Sequence, residues 1–217
     1  MATVASARIR LDVGRLVMVP TIALILLAQL PKLEHRGVSG GTGMLQPASA
    51  ALALTFYVLV IWCYLRRGPA IATSSSITGH AAAVLGTWIL SALPLIHGAA
   101  PDVSRQIVSD VLVVSGTAWA AWSVASLGRN ISVLAQARGV ADTGPYRWVR
   151  HPLYLGEIVS SLGLALAANS YAAIGLWLAM CGLQVYRAMR EEQVLLRALP
   201  AYRSYRSRTA ALLPGVF

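Results

Sequence analysis

Residues 152–189 read PLYLGEIVSSLGLALAANSYAAIGLWLAMCGLQVYRAM, two apolar runs separated only by Asn169-Ser170. Each run approaches the length of about 20 residues that a helix needs to cross the hydrocarbon of a bilayer. Two polar residues between the runs leave room only for a tight reversal of the chain. The stretch therefore predicts an antiparallel pair of membrane helices that returns the chain to the face from which it entered.

The chain before this hairpin has the same apolar character. Hydrophobic residues make up 57% of the 217 positions and charged residues only 12%, whereas ordinary soluble domains contain about 25% charged residues. Six stretches are candidate spans: Leu11–Leu30, Pro47–Leu65, Gly79–Ile96, Ile107–Leu127, Pro152–Ala168 and Tyr171–Met189. We expect an all-α, polytopic transmembrane helical bundle of about six spans. Four spans would form a scaffold over residues 1–127, integrated into one domain with residues 128–217, which hold the hairpin and an amphipathic tail.

The basic residues indicate how the bundle is oriented. A net charge of +10 is here better explained by the membrane than by nucleic acid, because basic residues flank apolar spans. With six spans, 15 of the 18 Lys and Arg residues fall on one side, and only Lys32, Arg36 and Arg105 fall on the other. The positive-inside rule then predicts that both termini are cytoplasmic. The Ala- and Arg-rich composition is typical of GC-rich bacterial genomes, so we expect a bacterial inner membrane.

Polar side chains that a membrane scaffold does not need lie almost entirely after Gly128. His151, Tyr154 and Glu157 recur every third residue, which places them on one face of the first hairpin helix. Glu157 would lie about two turns inside the membrane, where a carboxylate is costly unless it faces a polar cavity or a cation. It either pairs with an arginine to hold helices together or lines a ligand cavity beside a cationic cofactor.

A second polar cluster follows the hairpin. Arg190-Glu191-Glu192 comes directly after the last apolar run, and the tail contains Tyr202 and Tyr205 among several arginines. Alone, such a tail is typical of an amphipathic segment on an anionic lipid surface. The hairpin, however, returns this cluster to the level of Arg150 and His151, and so predicts one pocket at the cytosolic face. We expect no metal site, since Cys63 and Cys181 lie in apolar runs without ligand-like neighbours.

These residues resemble a known signature. The run Gly144-Pro145-Tyr146-Arg147-x-x-Arg150-His151-Pro152-x-Tyr154-x-Gly156, with the downstream Arg190-Glu191-Glu192, Tyr202-x-x-Tyr205 and Pro214, is similar to that of the isoprenylcysteine carboxyl methyltransferases. The resemblance covers about residues 127 to 214. Two positions depart from the family pattern: Ala137-Arg138-Gly139 stands where a histidine is frequent, and Leu199-Pro200 replaces a Phe-Gly pair.

The resemblance implies an S-adenosylmethionine-dependent methyltransferase that releases S-adenosylhomocysteine. It also implies a tunnel that admits a lipophilic or prenylated acceptor from membrane lipid. The residues implied as cofactor-binding are Tyr146, Arg150, His151, Tyr154, Glu191, Tyr202 and Tyr205. A carboxylate acceptor needs orientation and desolvation rather than a base, whereas a thiol or amine acceptor makes a base useful. Glu157 and Glu191 are the candidate bases, and Arg150 completes the catalytic candidates.

Two other functions remain open at this point. A membrane reductase of the sterol-reductase type would have a similar C-terminal helical layout and would bind NADPH. A non-enzymatic transporter or assembly protein is the other alternative. A transporter would carry polar residues on several spans near the midplane, whereas here they gather near one face.

Overall fold

The structure is a computed structural model, and it describes residues 13–36, 46–74, 76–96 and 98–213. Within these ranges the chain forms seven α-helices, which are α1 (Val13–Arg36), α2 (Gln46–Arg66), α3 (Ile77–Ala92), α4 (Val103–Leu127), α5 (Pro152–Ala167), α6 (Tyr171–Ala198) and α7 (Ala201–Arg208). Two short strands, β1 (Ala72–Thr73) and β2 (Gln136–Ala137), pair antiparallel. Single 3₁₀ turns cover Leu93–Leu95, Gly128–Asn130 and Gly144–Arg147.

Helices α1 to α6 coincide with the six predicted spans, which confirms the all-α membrane fold. By length and apolar composition, three stretches could cross a membrane. They are Ala48–Arg66 in α2, Val103–Asn130, which is α4 with the 3₁₀ turn after it, and Tyr171–Ala198, which is α6. The apolar stretches of α1, α3 and α5 are shorter, at Met18–Leu27, Ile77–Gly86 and Pro152–Ala167. The count of six crossings, the domain boundary after residue 127 and the cytoplasmic termini stay predictions. Arg8, Arg10, the start of the first predicted span and Pro214 lie outside the described residues.

Close packing of α4 against α5 fixes the position of the hairpin. Gly116 on α4 and Gly156 on α5 face each other, and a Cβ added to Gly156 would lie 2.8 Å from both the Gly116 carbonyl oxygen and the Ala120 amide nitrogen. Small residues let membrane helices approach closely enough for their backbones to touch. Across the same interface, the buried Ser109 hydroxyl donates to the Gly163 carbonyl oxygen at 2.7 Å. The packing against α4 therefore fixes the position of α5, whose first turn contributes to the site described below.

The hairpin forms where the sequence predicted it. Asn169 adopts a positive φ of 46° in the turn, a conformation that asparagine tolerates better than most residues. The Ser170 hydroxyl then caps α6 by accepting a hydrogen bond from the Ala172 amide. Farther along, the Trp177 indole donates to the Ile158 carbonyl oxygen at 3.0 Å and ties α6 to α5.

The segment after α7 folds back onto the start of α5. The Arg150 amide donates to the Ala210 carbonyl oxygen at 2.8 Å, and the His151 amide donates to the Ala211 carbonyl oxygen at 3.0 Å. On another side, the β1–β2 pairing fixes residues 136–137 beside the chain that leads into α3. Loop, tail and hairpin thus converge at the end of the bundle that holds the start of α5 and the late part of α6.

Candidate functional site

Glu192 is the centre of an ion-pair cluster that joins the hairpin to the tail. One carboxylate oxygen, Oε1, lies 2.7 Å from Nε of Arg150 and 3.2 Å from Nε2 of His151, and the other, Oε2, lies 3.0 Å from Nε of Arg206. Arg150 also donates to the carbonyl oxygens of Arg206 and Thr209. The Glu192 side chain is only 12% exposed. Through these contacts, Arg150 and Glu192 hold the tail against the start of α5.

Glu191 lies on the neighbouring position of α6 but has a different environment. Its carboxylate accepts a hydrogen bond from the Tyr154 hydroxyl at 3.0 Å and lies 3.9 Å from Nδ1 of His151. At 29% exposure, the Glu191 side chain remains open to its surroundings. The His151 ring stacks on the Tyr154 ring with a centroid distance of 5.5 Å and an interplanar angle of 4°. His151 therefore lies between two carboxylates with different surroundings. Glu192 has three cationic partners, whereas Glu191 accepts one hydrogen bond among the described residues.

A pocket opens beside Glu191 and Tyr154, with an empty volume of about 200 Å³. Its wall combines the first turns of α3, the segment before β2, the first turn of α5 and the late part of α6, with lining residues Gly79, Ala83, Val133, Ala135, Tyr154, Arg187, Arg190 and Glu191. The α3 and loop walls are small and apolar, and the α5 and α6 walls are charged or aromatic. This combination suits a ligand with an apolar body and a few charged groups.

The three remaining predicted tyrosines lie outside the pocket lining and support the tail. Tyr146, Tyr202 and Tyr205 are all buried, and the Tyr205 hydroxyl donates to the Tyr146 carbonyl oxygen at 2.7 Å. Burial raises the pKa of Tyr146 and of Tyr202. Burial also raises the pKa of Tyr205, to about 12. All three hydroxyls therefore stay protonated at neutral pH. Their direct contact with a cofactor stays a prediction.

Glu157 lies half-buried between α5 and α6 and does not belong to the pocket lining. The Gln184 side-chain amide nitrogen donates to its carboxylate, and Oε1 of the same amide accepts a hydrogen bond from Nη1 of Arg187 at 2.9 Å. Glu157 is thus linked to an arginine through an amide. This geometry favours the interpretation that Glu157 holds helices together, and its role as a base stays a prediction.

Sequence reasoning did not single out Gln184 or Arg187. Arg187 lines the pocket, is only 7% exposed and lies with Cζ 4.8 Å from the centre of the Tyr154 ring. Gln184 and Arg187 are three residues apart and so share one face of α6. Two polar residues on one face of an apolar helix were a signal that could have been used. The small residues of α3 and of the segment before β2 carried no such signal. In the described part of the chain, no group of three or more His, Cys, Asp or Glu side chains could hold a metal ion.

Comparisons with known proteins agree with this geometry. Residues 104–200, which include all of α5 and α6 and all but the first residue of α4, match the family model described as phospholipid methyltransferase. A nickel-cobalt-cadmium resistance protein, NccN of Alcaligenes xylosoxydans xylosoxydans, is 29% identical over 78% of this chain and 73% of its own length. A cobalt-zinc-cadmium resistance protein, CzcN of Cupriavidus metallidurans, is 30% identical over 59% of this chain and 52% of its own length.

The fold also resembles a solved structure, that of the eukaryotic intramembrane Ras methyltransferase ICMT (isoprenylcysteine carboxyl methyltransferase). The TM-score is 0.54 at 17% sequence identity, and the similarity covers 93% of this chain and 75% of the other. At that level of identity, the likeness shows a shared fold. The family match covers 97 of the 217 residues, including the helices that carry the site. The chain therefore resembles membrane methyltransferases in its fold and, over residues 104–200, in the family model that it matches.

Proposed function

We propose that the chain transfers the methyl group of S-adenosylmethionine to a lipophilic acceptor that carries a carboxylate or a thiol. The observation that carries this proposal is the convergence of Tyr154 and His151 with Glu191 beside one pocket. These residues lie on two helices and almost 40 positions apart, and the helical hairpin brings them together. A single open carboxylate next to an aromatic ring is a natural neighbour for a sulfonium cation.

The side chains that line the pocket suit the chemistry of this cofactor, but the pocket itself is too small for it. Glu191 offers negative charge to a cationic centre, and Ala83, Val133 and Ala135 offer an apolar wall. Part of the roughly 200 Å³ beside Glu191 is open solvent, and the enclosed part has room for about one water molecule, far less than the roughly 300–1,000 Å³ of typical ligand sites. Binding of the whole cofactor therefore requires rearrangement at the pocket mouth. Arg190, which lines the pocket and bonds Tyr186, Gln193, Ser76 and Thr78, is the long side chain that such a rearrangement would displace.

The bound cofactor supplies an electrophilic methyl group, and the residues of the chain orient and desolvate the reactants. Transfer breaks one S–CH₃ bond and forms one O–CH₃ or S–CH₃ bond, and it leaves a neutral thioether. A carboxylate acceptor is already a nucleophile and needs no base. A thiol acceptor loses its proton, and Glu191 is the group that would take it, because its carboxylate is within the pocket and partly open.

The acceptor would reach the pocket from the lipid along α3. Gly79 and Ala83 line the pocket, while the neighbouring Ile77, Val84 and Leu85 expose large apolar side chains on the same helix. In a bilayer, that surface contacts acyl chains. We place the pocket at the cytoplasmic face of a bacterial inner membrane, because the arginine-rich ends of the helices gather on its side.

Two measurements test the proposal on the purified chain in detergent. Calorimetric titration with S-adenosylhomocysteine should show saturable binding, whereas titration with NADP(H) should show none. Radiolabelled S-adenosylmethionine should then label farnesylcysteine, a simple lipophilic thiol or a component of a membrane lipid extract. Binding of NADP(H) without binding of S-adenosylhomocysteine would replace the proposal with a reductase.

A further inference from the structure

Three tryptophans pack against one another at the end of the bundle that holds the start of α5. Trp119 and Trp122 lie one turn apart near the end of α4, and Trp148 lies four residues before α5 begins. The ring centroid of Trp122 is 5.5 Å from that of Trp119 and 5.7 Å from that of Trp148, and the outer two are 6.3 Å apart. We call these three side chains the tryptophan cluster. It is separate from the pocket, whose lining includes none of them.

Two of the three rings are only half covered by protein. Trp122 is 44% exposed and Trp148 is 49% exposed. Their indole N–H groups donate to no acceptor among the described residues, whereas the Trp177 indole donates to the Ile158 carbonyl oxygen at 3.0 Å. The Trp119 N–H is buried, so the more accessible donors are those of Trp122 and Trp148. An indole suits the boundary between lipid and water, because its ring is apolar and its N–H is polar.

An exposed arginine lies against the cluster. Cζ of Arg147 is 5.4 Å from the centre of the Trp148 ring, and Arg147 takes part in none of the ion pairs found in the described part of the chain. Residues 119–150 contain four arginines and one acidic residue, Asp142. Arg129 and Arg147 are the exposed arginines of this segment. The surface beside the cluster is therefore positive, and the Arg147 guanidinium is free to bind an anion.

The outward face of α4 continues from the cluster along the bundle. Val108, Val111 and Ser115 are exposed and lie on the same face of the helix as Trp122, because they are separated by three, four and seven residues in turn. The stretch from Val108 to Trp122 corresponds to about 21 Å of helix rise. This is more than half of the roughly 30 Å of hydrocarbon in a bilayer. An acyl chain placed on this face would have protein beside it through the whole depth of one leaflet.

We propose that the tryptophan cluster and Arg147 bind one anionic phospholipid. The phosphate lies beside the Arg147 guanidinium and accepts hydrogen bonds from the indoles of Trp122 and Trp148, and an acyl chain packs along α4. An anionic headgroup fits better than a zwitterionic one, because the arginines repel an ammonium group. Lipid binding at this surface does not depend on the proposed methyl transfer.

A lipid at the cluster would also stabilise the chain that leads into α5. Val149, the residue after Trp148, forms a bridge with Ala210 of the tail, and the Arg150 amide donates to the carbonyl oxygen of the same alanine. Because a ligand that binds only the folded state raises its stability, added anionic lipid should raise the Tm of the wild-type chain in detergent.

The experiment is native mass spectrometry of the full chain released from an uncharged detergent, with added phosphatidylglycerol or phosphatidylcholine of identical acyl chains. Wild-type protein should bind one phosphatidylglycerol with a Kd about tenfold lower than that for phosphatidylcholine. Arg147→Gln should raise the Kd for phosphatidylglycerol by about 10- to 100-fold, the range expected when a charge-assisted hydrogen bond is lost. Arg147→Lys keeps the positive charge and should retain the preference for phosphatidylglycerol.

The matched control is Arg66→Gln at the end of α2. Cζ of Arg66 lies 3.9 Å from the centre of the exposed Trp62 ring, so this pair repeats the contact between arginine and indole without a three-ring cluster. Arg66→Gln should leave the Kd for phosphatidylglycerol unchanged. Equal effects of Arg66→Gln and Arg147→Gln would indicate diffuse attraction to a basic surface and would overturn the proposal.

Two further outcomes would also overturn it. One is equal affinity of the wild-type chain for the two lipids. The other is a protein dimer that forms in place of lipid binding and is lost in Trp148→Ala, because a second copy of the chain would then cover the cluster. The Tm of each variant is measured without added lipid, and weaker binding at unchanged Tm is the expected result. Trp122→Phe keeps an aromatic ring and removes one N–H, so it should raise the Kd by a few-fold even if Trp148→Ala is unstable.

Discussion

Glu191 and Glu192 are adjacent and chemically identical, yet the structure predicts that changing each to glutamine affects a different property. Glu192 receives N–H groups from Arg150, His151 and Arg206, whereas Glu191 receives a single hydroxyl from Tyr154. Glu192→Gln should therefore lower stability, and Glu191→Gln should lower affinity for a cationic ligand.

The magnitude for Glu192 follows from its burial. Removing one partner of a buried ion pair costs about 3–5 kcal/mol. Glutamine retains one oxygen acceptor, and Arg150 keeps its bonds to two carbonyl oxygens, so we expect a smaller loss of about 2 kcal/mol. For a chain of 217 residues, that corresponds to a fall in Tm of roughly 4–8 °C. Thermal unfolding in detergent, followed by tryptophan fluorescence, measures it.

The expectation for Glu191 concerns charge in the pocket. Glu191→Gln should cost less than about 1 kcal/mol of stability, because one partly exposed hydrogen bond is altered. It should weaken S-adenosylmethionine, which carries a sulfonium, about tenfold more than S-adenosylhomocysteine, which does not. Calorimetric titration of both ligands gives this ratio. An unchanged ratio, or a Tm loss larger for Glu191→Gln than for Glu192→Gln, would refute the assignment of the two carboxylates.

Three further variants test the framework around the site. Glu157→Gln should lower the Tm by a few degrees and leave turnover per folded molecule nearly unchanged, because Glu157 contacts Gln184 and does not line the pocket. A large loss of turnover at unchanged Tm would instead indicate that Glu157 acts as a base. Gly156→Val should prevent recovery of folded protein by gel filtration, since any Cβ there meets the backbone of α4, and normal elution would contradict the packing described. Tyr205→Phe should cost about 1 kcal/mol in thermal unfolding, because it removes the hydroxyl that binds the Tyr146 carbonyl oxygen. Weaker binding of S-adenosylhomocysteine without loss of stability would show that this tyrosine contacts the cofactor.

The sequence was most informative where short-range rules decide the structure. Asn169-Ser170 between two apolar runs predicted the reversal, and the reversal predicted that Glu191 and Glu192 would return to the level of Arg150 and His151. The pocket wall from α3 was not predictable in the same way. Gly79 and Ala83 are small and apolar, and only the packing of α3 against α6 reveals that they border a cavity.

The tail residues illustrate a different difficulty. Tyr202 and Tyr205 belong to the signature, so the resemblance implied contact with the cofactor, and that contact stays a prediction. In the structure both side chains are buried. A motif records that a residue type is required and not which requirement it meets. The Tyr205 hydroxyl satisfies a backbone carbonyl, and the burial of both tyrosines stabilises the segment that supplies Arg206 to Glu192.

The unequal lengths of α5 and α6 explain why the charged cluster can exist at all. Helix α5 has 16 residues and α6 has 28, which correspond to about 24 Å and 42 Å of rise. Because the two helices are joined by a tight turn at one end, the excess length of α6 projects past the start of α5. Glu191 and Glu192 lie in that projection and meet Arg150 and His151, which precede α5. A shorter α6 would bury both carboxylates beside lipid, where an ion is most costly. Beyond the end of α5, the loop and tail of this chain surround them instead, so that Glu192 has three cationic partners and Glu191 stays partly exposed.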